Sequence, residues 1–176
     1  MARRAEGLLR FVEAYRELAR LPPPRLDPVD VASLIEDVAL LFRSRWTPRG
    51  VTLNVSVEAM SGAPLDRDLV SQALLNVLTN AAEAALEGGA APVVDLMAGR
   101  TPGGRLWISI RDNGPGVDPA LADHLFEPFV TSKAHGQGLG LALVRKLVRD
   151  MDGRITHERD AGAGQTHFRV HLPMAR

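Results

Sequence analysis

The sequence contains no cysteine, no excess of either charge and no long apolar run. The absence of cysteine from 176 residues excludes a disulfide framework and cysteine metal ligands, and it fits a reducing compartment. Lysine plus arginine and aspartate plus glutamate number 21 each, so the charge balance does not suggest nucleic acid as a partner. With no apolar stretch of about 18 residues and no signal-peptide pattern, we expect no membrane span, no export signal and a cytoplasmic location, although a longer parent protein could be attached to a membrane.

The proline cluster Pro22 to Pro24 separates two parts of the chain. Residues 1–24 are predicted to form an amphipathic helix and a linker, while 25–176 have the length of one packed domain. The apolar stripe of the helix needs a partner, either the domain itself or another helix of a hairpin or dimer stem, and the pattern leaves both open. The stripe consists of Leu8, Phe11, Val12, Tyr15, Leu18 and Ala19.

Hydrophobic periodicity predicts strands and helices that do not alternate regularly. This arrangement favours an α/β two-layer sandwich, with helices over one face of a mixed sheet, and not a doubly wound fold. In the first helix of the domain we expect Leu34, Val38, Leu41 and Phe42 to point inward. The predicted helices are 31–46, 66–87 and 139–151, and the predicted strands are 27–30, 51–57, 93–98, 106–112, 154–157 and 167–172.

Asp112 ends a strand whose alternation places its carboxylate on the same face as Ile108 and Ile110. A carboxylate at a buried position is costly unless a donor meets it, and the exocyclic amine of adenine would be such a donor. The alternative is an Asn-Gly hairpin turn at Asn113 and Gly114, but that turn requires a second strand directly after it. The segment that follows, PGVDP, does not resemble a strand.

A polar stripe runs along the helix 66–87, formed by Asn76, Asn80, Glu83 and Glu87. It borders the apolar stripe of the same helix, and asparagine in a helix interior calls for a reason. One reason is an amide oxygen that binds Mg²⁺, a metal ion that bridges to substrate phosphates. The alternative is an ordinary solvent-exposed stripe.

Gly136, Gly138 and Gly140 precede an apolar helix, so backbone N–H groups at a helix N-terminus are open to phosphate. The spacing is neither that of a P-loop nor that of a dinucleotide fingerprint. The alternative, a flexible hinge, is compatible with a mobile lid over residues 131–137, in which Lys133 is a candidate phosphate contact. Phe126 and Phe129 are predicted to anchor this loop. The five histidines show no metal-ligand or triad spacing.

Five segments, taken in this order, resemble the motifs of sensor histidine kinase ATP-binding domains. LLNVLTNAAEA resembles the N box, DNGPGV the first glycine box, LFEPF the F box, GQGLGL the second glycine box, and GAGQTHF the final glycine-threonine element. These domains share a superfamily and the Bergerat ATP-binding fold with type II topoisomerases, heat-shock chaperones and mismatch-repair ATPases. The resemblance covers about 27–174 and implies that ATP and Mg²⁺ are bound. It implies that Asp112 binds the adenine amine with support from Thr166. It also implies that Asn80 holds Mg²⁺ with Asn76 nearby and that Lys133 lies over the phosphates. The pocket would be shaped by Gly114, Gly116, Gly138, Leu139 and Gly140.

Asn76 distinguishes this chain within the superfamily. Hydrolytic members carry a general-base glutamate one turn before the Mg²⁺ asparagine, and an amide at that place favours phosphoryl transfer over hydrolysis. An ATP-driven conformational machine is therefore disfavoured.

The helix from Arg4 to Leu21 resembles the second helix of the dimerisation and phosphoacceptor hairpin of these kinases. No histidine precedes His124, so we expect a fragment of a nitrogen-regulation-type kinase that lacks its acceptor histidine. The resemblance implies a histidine-containing hairpin, a response regulator and a homodimer through the N-terminal helix as partners. The alternative function is that of an anti-sigma-type serine kinase or a regulatory binding module on the same fold.

Overall fold

The computed structural model of the protein describes residues 22–60, 62–89, 91–133, 136, 138–160 and 165–174. The predicted helix before Pro22 and most of the first predicted segment lie outside these residues. Within them, the elements in chain order are β1 (Asp27–Val29), α1 (Val31–Trp46), β2 (Thr52–Val57), β3 (Ala63–Leu65), α2 (Arg67–Gly88), β4 (Val93–Arg100), β5 (Leu106–Asp112), α3 (Gly140–Asp150), β6 (Arg154–Asp160) and β7 (Gln165–Leu172). Short 3-10 turns occur at Thr47–Arg49 and Ala122–His124.

Five strands form the main sheet in the order β2, β4, β5, β7, β6. β2 and β4 pair in parallel, and every other pair in this sheet is antiparallel. The predicted mixed, mostly antiparallel sheet is therefore confirmed. β5 lies at its centre, so both neighbours of Asp112 in the sheet are strand residues: Val94 on β4 and Thr166 on β7.

The three α-helices pack on one face of this sheet, as predicted, and the hydrophobic core lies between the two layers. Each of the first two helices begins at an aspartate that caps it. The carboxylate of Asp30 accepts hydrogen bonds from the N–H groups of Ala32 and Ser33, and that of Asp66 accepts one from Leu69 N at 3.1 Å. Asp30 is therefore a helix cap and not the last residue of β1. No helix in the described part of the chain is both long and apolar enough to cross a membrane.

The prediction that Leu41 of α1 points into the core is wrong. Leu41 is 55% exposed, whereas Val38 and Phe42 are buried. The buried stripe is centred near Phe42, and the preceding residue lies about 100° away around the helix axis. The short strand β3 is also absent from the prediction. It pairs with β1 in a separate two-stranded sheet, and its three residues include Pro64, so neither its length nor its composition indicates a strand.

Candidate functional site

A cleft of about 910 Å³ opens between α2, the start of α3, the ends of β5 and β7, and the loop that connects β5 to α3. The structure brings together here most of the residues that the sequence singles out. The predicted site residues that line the cleft are Asn80, Asp112, Gly116, Lys133, Gly138, Leu139, Gly140 and Thr166.

Asp112 and Thr166 lie at the floor of the cleft. They face each other across β5 and β7 and are only 2% and 3% exposed. One carboxylate oxygen of Asp112 accepts a hydrogen bond from Gly114 N at 2.9 Å. The hydroxyl of Thr166 is buried without a hydrogen-bond partner among the described residues. The floor of the cleft therefore offers a carboxylate oxygen and a hydroxyl to a polar ligand, because buried polar groups are normally satisfied.

The electrostatics of the floor favour a ligand that donates a hydrogen bond. Burial raises the pKa of Asp112 to about 6, while the hydrogen bond from Gly114 and the positive charge of Arg159 partly oppose this increase. Ionisation of the carboxylate in the empty cleft is thus costly. A ligand N–H group would stabilise the ionised form and would lower the pKa of Asp112 again.

The Asn-Gly hairpin alternative is wrong, because β5 is followed by a long loop and not by a strand. Asn113 turns the chain away from the sheet: its Oδ1 accepts from Val93 N at 2.9 Å, and its Nδ2 donates to Ala91 O at 2.8 Å. Gly114 then packs against α2, where an added Cβ would lie 2.5 Å from Ala84 O. Gly114 shapes the wall of the cleft from behind and is not among the residues that line it.

Gly116 has a φ of +90°, in the left-handed region that favours glycine, and the guanidinium of Arg159 lies beside its Cα. Arg159 also donates a hydrogen bond to Pro115 O. Sequence reasoning did not identify Arg159 as part of the site, because its contact with Pro115 joins residues 44 positions apart and depends on tertiary structure.

The polar stripe of α2 divides at the cleft. Asn80, Glu83 and Glu87 line it, while Asn76 is partly buried one turn earlier and does not. From the opposite wall, Lys133 donates a hydrogen bond to Asn80 Oδ1 at 3.3 Å and forms an ion pair with Glu83. The described residues hold no cluster of three or more histidine, cysteine, aspartate or glutamate side chains suited to a metal ion. The amide oxygen of Asn80 and the nearby carboxylate of Glu83 are the oxygen donors that suit Mg²⁺, and the ammonium of Lys133 shows that a cation is favourable here.

The N-terminus of α3 closes the other end of the cleft. Among the described residues, no side chain caps this helix, and no acidic residue lies in its first turn. Gly138, with φ +65°, approaches the backbone of Phe129, and Phe129 N donates to Gly138 O at 2.8 Å. An added Cβ at Gly140 would meet nothing within 4 Å. Open backbone N–H groups at a helix start favour an anion.

The two phenylalanines of the loop have different roles. Phe126 packs edge-to-face on Phe168 with ring centroids 6.3 Å apart, which confirms it as an anchor to the domain. Phe129 is 43% exposed, so its side chain does not anchor the loop by burial, and its backbone hydrogen bond to Gly138 holds this point instead. Val117, Leu121, Leu125 and Val130 supply apolar lining that sequence reasoning missed, because the loop has no periodicity to indicate which side chains point inward.

Comparisons with known proteins identify the family of this domain. Residues 65–176 match the family model described as histidine kinase-, DNA gyrase B- and HSP90-like ATPase. The sensory histidine kinase/phosphatase NtrB of Rhizobium leguminosarum bv. phaseoli is 35% identical over an alignment of 168 residues, and the match covers 88% of this chain and 43% of that protein. The chain thus spans less than half of the length of this curated relative.

Solved structures share the fold. The crystal structure of full-length ShkA in complex with AMPPNP matches 96% of this chain and 36% of its own chain, with a TM-score of 0.82 and 32% identity. Histidine kinase ThkA in complex with the response regulator protein TrrA matches 99% of this chain and 49% of its own, with a TM-score of 0.79. At 20% identity, the second match shows the fold alone.

Proposed function

Because this chain belongs to the histidine kinase-, DNA gyrase B- and HSP90-like ATPase family and is an ATP-binding domain of the sensor-kinase type, we propose that it positions Mg·ATP for transfer of the γ-phosphoryl group to a histidine outside the described residues. The observation that carries this proposal is the cleft itself. It has a carboxylate and an unpartnered hydroxyl at one end, and an amide oxygen and an uncapped helix N-terminus at the other.

The adenine end of the proposed site is the floor of the cleft. Asp112 accepts a hydrogen bond from the exocyclic amine, and the Thr166 hydroxyl supplies a second polar contact to the base. Both groups are buried, so their hydrogen bonds discriminate strongly against a base with a carbonyl in place of the amine. Gly114 and Gly116 keep the wall next to Asp112 free of side chains.

The phosphate end combines contacts from α2, α3 and the loop. The N–H groups at the start of α3, near Gly138, Leu139 and Gly140, bind phosphate oxygens, and Lys133 adds a positive charge from the loop. Asn80 holds Mg²⁺ through its amide oxygen. When bound, this metal ion neutralises charge on the phosphates. The catalytic contribution of the chain is therefore positioning and charge neutralisation, as is general for phosphoryl transfer.

We propose transfer and not hydrolysis because the chain lacks a base for water at the expected place. Asn76 is an amide, and it does not line the cleft. Among the described residues, the side chains that line the cleft include no histidine, and we propose that the nucleophile comes from elsewhere. The attacking histidine nitrogen would form a bond to the γ-phosphorus as the bond to the bridging oxygen breaks and ADP leaves.

The partners that we propose follow from the separation of the nucleotide site from the acceptor histidine. A histidine-containing hairpin supplies the nucleophile, and residues 1–24 are the proposed connection to it and to a homodimer. A response regulator accepts the phosphoryl group afterwards, as a partner of the class seen with the structural neighbour ThkA. Such signalling places the domain in the cytoplasm, and the relative NtrB suggests a kinase of the nitrogen-regulation type.

Calorimetric titration with AMPPNP, with and without Mg²⁺, tests the nucleotide site. We expect saturable binding that tightens with Mg²⁺, and in Asn80→Ala we expect this metal dependence to disappear. Asp68→Ala is the matched control, since it removes side-chain oxygens from the same helix outside the cleft lining and should leave binding unchanged. A folded wild-type protein that does not bind AMPPNP would refute the proposed function.

A further inference from the structure

The ammonium of Lys133 occupies the part of the cleft where the metal ion is proposed to bind. It contacts Asn80 Oδ1 at 3.3 Å and the carboxylate of Glu83, which is one turn further along α2. The side chains of Lys133 and Glu83 are 39% and 38% exposed, so solvent screens their ion pair only in part. A cation of the protein itself therefore satisfies the oxygen donors of this corner in the empty cleft.

The same contact fixes the tip of the loop. Most other hydrogen bonds here stay within the loop: Lys133 N donates to Thr131 Oγ1 at 3.1 Å, and Gly136 N donates to Lys133 O at 3.0 Å. Among the described residues between 130 and 136, the hydrogen bonds to α2 are those that Lys133 makes. The position of the loop tip over the cleft therefore depends on Glu83 and Asn80.

We propose that Glu83 is the positioning residue for this loop, and that Lys133 and Mg²⁺ occupy the Asn80 corner in alternation. In the empty cleft, Glu83 holds Lys133 against Asn80. A divalent ion on the same amide oxygen would lie within about 5 Å of the ammonium, and the repulsion between these charges makes joint occupancy unfavourable. Binding of Mg·nucleotide thus releases Lys133 from α2, and its charge becomes available to the phosphates. The identity of the metal rests on the proposed function.

Charge explains why Glu83 suits this role. Glu83 and Glu87 both line the wall where the phosphates are proposed to bind, and Lys133 is the cation paired with one of them. Without Lys133 or a metal ion, the carboxylate of Glu83 would repel a triphosphate. Glu83 therefore couples release of the loop to arrival of the metal, and nucleotide without metal binds poorly as long as Glu83 is charged.

Hydrogen-deuterium exchange of the nucleotide-free protein tests the positioning role. In Glu83→Gln, peptides that span residues 126–139 should exchange roughly two- to fivefold faster than in the wild type, the range expected for loss of a partly exposed ion pair. Glu87→Gln is the matched control, since it removes the same charge from the same wall without touching Lys133, and it should exchange as the wild type does. Equal exchange in Glu83→Gln and Glu87→Gln would overturn the proposal.

Titration with Mn²⁺ in the absence of nucleotide, followed by electron paramagnetic resonance, tests the alternation. Lys133→Gln lies in a loop and removes the competing ammonium, so it should bind Mn²⁺ roughly two- to fivefold more tightly than the wild type. Lys146→Gln, which removes a lysine ion pair on α3 instead, should not change Mn²⁺ affinity. Unchanged affinity in Lys133→Gln would show that metal and ammonium do not compete.

The exchange experiment and the Mn²⁺ titration are independent of the proposed function, because both are carried out without nucleotide. If AMPPNP fails to bind while exchange and Mn²⁺ affinity change as expected, the proposed function fails and the role of Glu83 stands. If AMPPNP binds with its Mg²⁺ dependence but neither readout changes, the role of Glu83 fails and the proposed function stands.

Discussion

Burial of the Asp112 carboxylate lowers the stability of the fold when this group is ionised. Burial raises its pKa from 3.8 in a model compound to about 6. The folded state therefore binds the proton of Asp112 more tightly than the unfolded state does. The free energy of unfolding that this difference contributes is fully present below about pH 4 and is lost as the pH rises through 6. Between about pH 4.5 and 7.5 this loss amounts to about 2 kcal/mol.

We expect Asp112→Asn to remove that pH dependence, because an amide does not ionise. The free energy of unfolding is measured with urea at about pH 4.5 and at about pH 7.5 for both proteins. The decrease between the two pH values should be about 2 kcal/mol smaller in the variant than in the wild type. In the same variant, nucleotide affinity should drop by about 1–3 kcal/mol, since an amide NH₂ would face the adenine amine. Identical pH profiles for the two proteins would mean that Asp112 titrates normally.

The direction of the Asp112 carboxylate could be predicted from the sequence, whereas the contact of Arg159 with Pro115 could not. Alternation along β5 is a local property, so it indicates from the sequence alone that the carboxylate points with Ile108 and Ile110. Arg159 reaches Pro115 because β6 joins the sheet beside β7, and the resulting hydrogen bond joins residues 44 positions apart in the sequence. No local pattern carries such information.

At the scale of elements, α2 and the first glycine-rich segment approach each other closely at Gly114. The cap at Asp66 and the glycines at Gly88 and Gly89 predict the limits of α2 well, because both ends are set by local chemistry. The loop between β5 and α3 is different. Its placement depends on tertiary contacts such as Phe126 on Phe168 and Gly114 on Ala84, so its cleft-lining residues were missed.

Gly114→Ala tests this junction. The added methyl group would lie 2.5 Å from Ala84 O, and because that neighbour is helix backbone, the loop or α2 must shift. We expect a loss of stability of about 1–3 kcal/mol, together with weaker nucleotide binding. Thermal and urea unfolding measure the first effect, and calorimetry measures the second.

Gly140→Ala is the matched comparison, since its methyl group would meet nothing within 4 Å of the protein. Stability should not fall in this variant, and nucleotide affinity should, because the methyl group enters the proposed phosphate end of the cleft. If both alanines lowered stability equally, the close approach of Gly114 to α2 would not be the cause.

At the scale of the whole molecule, the described residues offer a cleft without a histidine. Three helices pack on a five-stranded sheet, and none of the described residues that line the cleft is a histidine. The chain spans 43% of the length of its relative NtrB, and we propose that another part of a kinase supplies the acceptor histidine.

Phosphorylation in trans tests that division. With radiolabelled ATP, we expect the isolated chain to incorporate no acid-labile phosphate and to hydrolyse ATP only at background rate. A separately produced phosphoacceptor hairpin from a nitrogen-regulation sensor kinase should become labelled when the chain is present, because the cleft then supplies positioned Mg·ATP and the hairpin supplies the histidine. A hairpin with glutamine in place of its histidine should stay unlabelled. Steady-state hydrolysis well above background by the chain alone would contradict the inference from Asn76, since another group of the cleft, such as Glu83 or Glu87, would then have to activate water.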